Sequence, residues 1–322
     1  MTPLRYAALV SIALGFFCQP VQANGKFITF QVPDATATVP VTLTNNGKVI
    51  GFANAQSVQS GFIRAADGTF NFVGGYPVAL ARDGTVVGSY FDNFSNSWKG
   101  FIRSPGGQYS DVIAPHTRIY TSLTSLSNAG WVSGTGMHGS RRKNYFFGFL
   151  RDPEGHFTEF GTNLRVLCAN SSNTTAGTLE ANGFVRTPDG TITEIDPAGS
   201  AYTNATAIND AGTVTGWSDF SSPDTGVAFI RASDGTMSSF VVPGDNVQYT
   251  TPTGINKNGV IAGIAQNKDG SQDGFIRALD GTITMIDVPG GTNTEIASIN
   301  DKGEVAGEFT TNGIIMGFIW KP

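Results

Sequence analysis

The sequence predicts an all-β fold built by copying one four-stranded unit, and three observations predict it. A phrase of the form GF-[IVL]-R recurs at Gly61, Gly100, Gly148, Gly183 and Gly274. It recurs once more as Ala228–Phe229–Ile230–Arg231, and the chain ends on Gly317–Phe318–Ile319–Trp320. Successive starts lie 39, 48, 35, 45, 46 and 43 residues apart, a period that means one supersecondary unit repeated. Turn signals recur in step with the phrase, at Asp67–Gly68, Asp189–Gly190, Asp234–Gly235 and Asp280–Gly281. Strict helical periodicity is absent beyond residue 23.

Each copy can be read in order. GFIR is a short apolar, aromatic strand. The Asp-Gly that follows predicts a two-residue type I′ turn, which needs positive φ at both positions. GFIR therefore pairs antiparallel with the next strand, which ends in proline. These strands are Phe27–Pro33, Phe70–Pro77, Tyr109–Pro115, Thr191–Pro197, Met237–Pro243 and Thr282–Pro289, with a proline-less version at Phe157–Gly161. A crossing of variable length leads to a strand ending in Ile-Asn, as at Ile208–Asn209, Ile255–Asn256 and Ile299–Asn300. Asn and Gly then supply the left-handed positions of a four-residue turn, before a strand reading V-x-G. Four-stranded units at this period are the signature of a β-propeller blade, and the copies predict a seven-bladed propeller. The chain opens in mid-repeat with Phe27–Pro33 and closes on a GFIW that lacks its partner. The N-terminal strand should complete a blade with strands near Ile296–Asn300, Glu304–Phe309 and Gly317–Trp320. Such closure of the ring removes the open sheet edges that invite aggregation.

The order GFIR–x₂–DGT–xxxIDxPG…INxxGxVxG resembles the HAF repeat of bacterial extracellular proteins. It runs over nearly all of Gly25–Pro322, departing at Pro153–Glu154–Gly155 and Cys168–Gly177. The resemblance implies export and a repeat fold, and it supplies no catalytic residues.

Composition sets the bounds on function. Charged residues make up 14% of the 322, the net charge is −5, and glycine fills 41 positions. With no basic excess, no nucleic-acid partner is expected. Residues 1–23 read as a secretory signal peptide: Arg5, an apolar run Ala7–Cys18, and small residues Val21 and Ala23 before a cleavage point ahead of Asn24. The remaining residues 24–322 form a single domain, with no apolar run long enough to span a membrane. A secreted or periplasmic monomer is expected. Its one cysteine, Cys168, reads as a small buried hydrophobe.

Repeated residues make poor candidates for chemistry. Arg64, Arg103, Arg151, Arg186, Arg231 and Arg277 occupy the same place in six copies, so each is expected to lay its stem beside an aromatic ring and bond a carbonyl or carboxylate. His116, His138 and His156 fall in separate segments without metal-ligand spacing, and no nucleophile elbow or phosphate loop is present. No catalytic residue, metal or cofactor is assigned. Two stretches read as unrepeated insertions between equivalent strands: Ser89–Lys99, with Tyr90, Phe91, Phe94 and Trp98, and Thr135–Phe147, with His138, Arg141, Arg142, Lys143 and Tyr145. Aromatic and basic residues on scaffold loops suit ligand capture. The expected function is a non-catalytic binding module for an extracellular glycan or protein. The alternatives are a polysaccharide hydrolase or lyase with its site at the propeller mouth, and a structural surface or matrix protein.

Overall fold

A computed structural model describes residues 21–55, 58–139, 144–221 and 224–322. The predicted signal peptide lies outside them except for Val21, Gln22 and Ala23. Among the described residues there is no helix. β1 (Val21–Gln22) runs parallel to a strand near the end of the chain, and β2 (Lys26–Phe30) follows it. β3 (Ala35–Leu43), β4 (Val49–Ala55), β5 (Val58–Arg64) and β6 (Phe70–Val73) then pair in order as an antiparallel meander. So do β7 (Tyr76–Leu80), β8 (Val86–Asp92), β9 (Ser97–Arg103) and β10 (Tyr109–Val112). β11 (Thr117–Leu126), β12 (Val132–Gly139), β13 (Asn144–Arg151) and β14 (Phe157–Phe160) form the next meander. It is followed by β15 (Leu164–Ala169), β16 (Thr175–Leu179), β17 (Asn182–Arg186) and β18 (Ile192–Ile195). β19 (Tyr202–Ile208), β20 (Val214–Ser221), β21 (Asp224–Arg231) and β22 (Met237–Phe240) repeat the pattern. β23 (Val247–Ile255), β24 (Ile261–Asn267), β25 (Gln272–Arg277) and β26 (Ile283–Ile286) do the same, with β26 also taking β1. Finally β27 (Thr292–Ile299), β28 (Val305–Thr311) and β29 (Ile314–Lys321) receive β2 as their fourth strand, with Phe27 opposite Trp320 and Thr29 opposite Phe318. The first strands β3, β7, β11, β15, β19, β23 and β27 each pack on the next, and β27 packs on β3.

The repeated phrase explains the core. The Phe of every copy is buried: Phe62, Phe101, Phe149, Phe184, Phe229, Phe275 and Phe318 are at most 2% exposed. Each stands opposite the Gly of V-x-G on the neighbouring strand, as Phe101 does opposite Gly88. A Cβ on Gly88 would lie 2.7 Å from that ring. The glycine leaves room for the ring on the pleated sheet, and the ring covers the exposed backbone that glycine leaves. Burial of a phenyl side chain contributes about 2–3 kcal/mol, so the phrase carries much of the stability of each meander.

The turns differ from the expected type I′. Ala65 N–H donates to Thr69 O at 2.8 Å, Gly68 N–H donates to Ala65 O at 3.0 Å, and only Gly68 has positive φ. This is a type I turn closed by a left-handed glycine, the form that gives a G1 bulge. Asp67 accepts from Thr69 N–H and Oγ1, which holds its carboxyl below the usual range. The Ile-Asn turns have the same backbone bonds, and there too glycine alone is left-handed in Gly212, Gly259 and Gly303. The asparagine does something else. Asn300 Oδ1 accepts from Lys302 and Glu304 N–H, and its Nδ2 donates to Thr44 O at 3.2 Å in another meander. Asn170, Asn209 and Asn256 likewise donate to Asn209 O, Asn256 O and Asn300 O. A side-chain ladder thus ties four successive meanders together and reaches a fifth at Thr44.

The proline-ending strands stop earlier than expected. β18, β22 and β26 end two to three residues before Pro197, Pro243 and Pro289, and the N–H groups of Val242 and Val288 donate to the hydroxyls of Thr250 and Thr294 in place of a ladder. Those three prolines lie in the crossings instead, whereas the expected strand Phe70–Pro77 divides into β6 and β7, with Pro77 inside β7 opposite Gly88. Four of the six repeated arginines, Arg64, Arg151, Arg186 and Arg277, show both expected contacts. Arg64, Arg186 and Arg277 lie over the rings of Phe30, Phe160 and Phe240 at 4.8, 4.4 and 4.9 Å, and donate to the carbonyls of Ala65, Thr187 and Ala278. Cys168 is packed beside Ala176 and Ala205, and burial pushes its thiol up to about 12, so it stays protonated at neutral pH.

Candidate functional site

The two expected insertions are not loops. Tyr90 and Phe91 lie on β8, Trp98 on β9, His138 on β12 and Tyr145 on β13. Their hairpins match the length of β4–β5 and β20–β21, and β16–β17 is the short one. Arg141, Arg142 and Lys143 lie outside the described residues.

Strand alternation divides the first aromatic group. Phe91 stands opposite Trp98, and Tyr90 opposite Lys99, so the two pairs point to opposite faces. Tyr90 Oη donates to Asp111 at 2.8 Å, while Lys99 reaches Asp92 at 2.7 Å and Asp111 at 3.6 Å. The hydrogen bond from Lys99 holds the Asp92 carboxyl well below its usual range, and burial with the Asp111 bond raises Tyr90. Phe94 is fully exposed at the hairpin tip. These side chains form no single patch.

Phe91 and Trp98 face the next meander, and there a cleft opens. Trp98 is the parallel bridge partner of Tyr120 on β11. It packs on Tyr76 at 5.5 Å and on Phe91 at 5.7 Å between ring centres. A cleft of about 400 Å³ is lined by Tyr76, Val78, Ser89, Trp98, Tyr120 and Ser122. Ser89 Oγ accepts the N–H of Leu123 at 3.1 Å, which fixes the hydroxyl within it. Aromatic walls with hydroxyls between them suit a ring that has an apolar face and polar edges. Sequence reasoning found Trp98 and missed Tyr76 and Tyr120. Their only signal is an aromatic residue at or near the start of a strand that follows a crossing.

The second group packs internally. His138 stacks on Phe147 at 4.2 Å, lies 5.1 Å from the ring of Tyr145 and 6.0 Å from that of His116, and sets Nε2 3.5 Å from Glu159 Oε2. Neighbouring Phe146 meets Tyr120 at 5.6 Å, and the Arg165 guanidinium lies 3.7 Å from its ring centre. The contacts therefore continue from Trp98 through Tyr120 and Phe146 to Arg165 on β15 of the next meander. His156 bonds Asp152 elsewhere.

Two other places hold unrepeated features. A cleft of about 430 Å³ lies between β21 and β23, lined in part by Gly226, Pro243, Asp245 and Gln248. Gly226 bridges Tyr249 there, in the place Trp98 takes opposite Tyr120. At the packing of β28 and β29 on β3, Glu308 stands opposite Glu295 across the β27–β28 ladder. Burial, then the Glu295 charge, pushes Glu308 up to about 7, and burial raises Glu295. Glu308 Oε2 is buried without a hydrogen-bond partner. Sequence spacing gave no hint of this pair, since Glu295 and Glu308 meet only through a register that contains a bulge at Ile296–Ser298.

No protein-family model matches the chain, and no curated protein matches it. Solved structures do. Virginiamycin B lyase from Staphylococcus aureus is 14% identical with a TM-score of 0.62, over 92% of this chain and 99% of that one. The β-propeller domain of the trilobed protease from Pyrococcus furiosus is 12% identical with a TM-score of 0.63, over 88% and 95%. An acylaminoacyl peptidase from Pyrococcus horikoshii is 11% identical with a TM-score of 0.61, over 90% of this chain and 52% of that one. At these identities the likeness speaks to fold alone, and the fold is all-β and propeller-like. Among the described residues no helix is long and apolar enough to cross a membrane.

Proposed function

We propose that the protein is an exported seven-bladed propeller of the HAF repeat type that binds an extracellular glycan or protein without catalysis. Pairing of β2 with β29 and packing of β27 on β3 support closure of the ring. The observation that carries the binding reading is the cleft between Trp98 and Tyr120. Its occupant is an aromatic or sugar ring whose apolar face stacks on Trp98 while its edge bonds Ser89 or Ser122. Truncating a central aromatic in such a site costs about 2 kcal/mol or more, about 30-fold in affinity. The test is a glycan-array and pull-down screen of the mature protein, followed by affinity measurement on the strongest hit. Trp98→Ala and Tyr120→Ala should each weaken it at least tenfold, and an unchanged affinity in both would overturn the reading.

One observation favours a second reading, a lyase or hydrolase acting on polysaccharide. Glu295 and Glu308 are unrepeated and adjacent, and Glu308 is poised near neutral pH, as a general acid must be. Depolymerisation of any polysaccharide, abolished by Glu308→Ala and retained in Trp98→Ala, would move the assignment to this site.

A further inference from the structure

The packing of β28 and β29 on β3 joins the two ends of the chain, and its chemistry differs from that of the other contacts between meanders. Ser89 on β8 and Thr135 on β12 point at the next first strand and accept its N–H, from Leu123 and Val166. Ser89, Thr135 and Glu308 are equivalent, each being one residue beyond the Gly of V-x-G. The residue equivalent to Leu123 on β3 is Pro40: Leu123 stands opposite Gly134 as Pro40 stands opposite Gly51. Proline has no N–H to give. Glu308 thus carries a carboxyl where the neighbouring strand offers no donor, and its Oε2 is left without a partner.

Among the described residues, the strands packed on β28 supply no compensating charge. β27 brings only Glu295, directly opposite, and like charges so placed destabilise a ladder. β3 has no ionisable residue in Ala35–Leu43. β29 has only Lys321, whose Nζ is 3.1 Å from Glu304. β2, the strand beyond it, carries Lys26 opposite Lys321, exposed at the far end of β29 from Gly317, the residue that faces Glu308.

We propose that this contact is a proton-linked clasp: it is tight while Glu308 keeps its proton opposite Glu295 and loosens when both carboxyls ionise. The proposal stands on the packing of these strands and is independent of any ligand in the Trp98 cleft. The sign follows from linkage. A carboxyl whose pKa is raised on folding holds its proton in the native state after the unfolded chain has lost it. Its stabilising contribution is complete below the unfolded pKa, falls as pH rises through the native value, and is gone above it. The window here runs from the ordinary glutamate value to about 7.

Hydrogen exchange and thermal unfolding of the full chain, measured across pH 4.5–8, test the clasp. The unfolding midpoint should fall by several degrees across this range. Protection of the amides in β3 and β28, corrected for intrinsic exchange, should fall with it, while β16 and β17 keep theirs. Glu308→Gln should match the wild type at pH 4.5 and lose the fall by pH 8. Should that variant not fold, Glu295→Gln, which removes one of the two charges, should shift the window to lower pH. A wild-type slope retained in a folded Glu308→Gln, or in Glu295→Gln, would overturn the proposal. So would a loss of protection as large in β16–β17 as in β3 and β28.

Discussion

Two contacts between meanders share one backbone frame and differ in chemistry. At the cleft, Trp98 on β9 bridges Tyr120 on β11; at the clasp, Ile315 on β29 bridges Ala37 on β3 at the equivalent place. Tyr76 and Ser89 stand opposite each other at the cleft, and Glu295 and Glu308 take those positions at the clasp. The glycine that follows each bridge, and the buried Phe after it, are the same in both. The repeat therefore fixes where a side chain points, and the residue placed there decides whether the contact is a site. Function should be sought among substitutions at lining positions of the frame.

Several substitutions would break or sharpen this comparison. The largest effect falls on the shared frame: Phe101→Ala at the cleft and Phe318→Ala at the clasp should each cost about 3–5 kcal/mol by chemical denaturation. A loss confined to one of the two would mean that the frames are not equivalent. Next comes the side-chain ladder, which reaches the clasp through Asn300 and Thr44, while Ala81 and Ser127 hold the equivalent positions flanking the cleft. Asn300→Ala leaves the buried Glu304 N–H and the partly buried Lys302 N–H unpaired and should destabilise by about 2–3 kcal/mol. A smaller loss, about 1–2 kcal/mol, is expected from Ser89→Ala, which strands the Leu123 N–H. Phe94→Ala, at the exposed hairpin tip, should change stability by less than about 0.5 kcal/mol and leave ligand affinity unchanged. A strong effect of Phe94 would shift the site from the cleft to the tip.

The fold was legible in the sequence because its signals are local and repeated. GFIR, the glycine turns and the completion of β27–β29 by β2 each follow from residues a few positions apart, or from the two ends matching. The turn type was misread, because Asp-Gly serves both a type I′ turn and a type I turn with a left-handed glycine, and only backbone φ separates them. The role of the Ile-Asn asparagine was hidden for another reason: its Nδ2 partner lies in a different meander, about one repeat away in sequence. The cleft was legible only through Trp98, since Tyr76 and Tyr120 join it from separate first strands. Tyr90 and Phe91 looked like one patch, yet strand alternation sends them to opposite faces. The Glu295–Glu308 pair was invisible, because the bulge on β27 breaks the count that would place the two opposite each other.

Tryptophan fluorescence of the ligand-bound protein tests the central claim most directly. Trp98 lines the cleft, whereas Trp217 packs between Tyr202 and Tyr249 in another part of the molecule. With the strongest hit of the glycan and pull-down screen as titrant, Trp217→Phe should keep the ligand-induced change in emission, and Trp98→Phe should lose it. A full change surviving in Trp98→Phe would contradict the placement of the binding site between Trp98 and Tyr120.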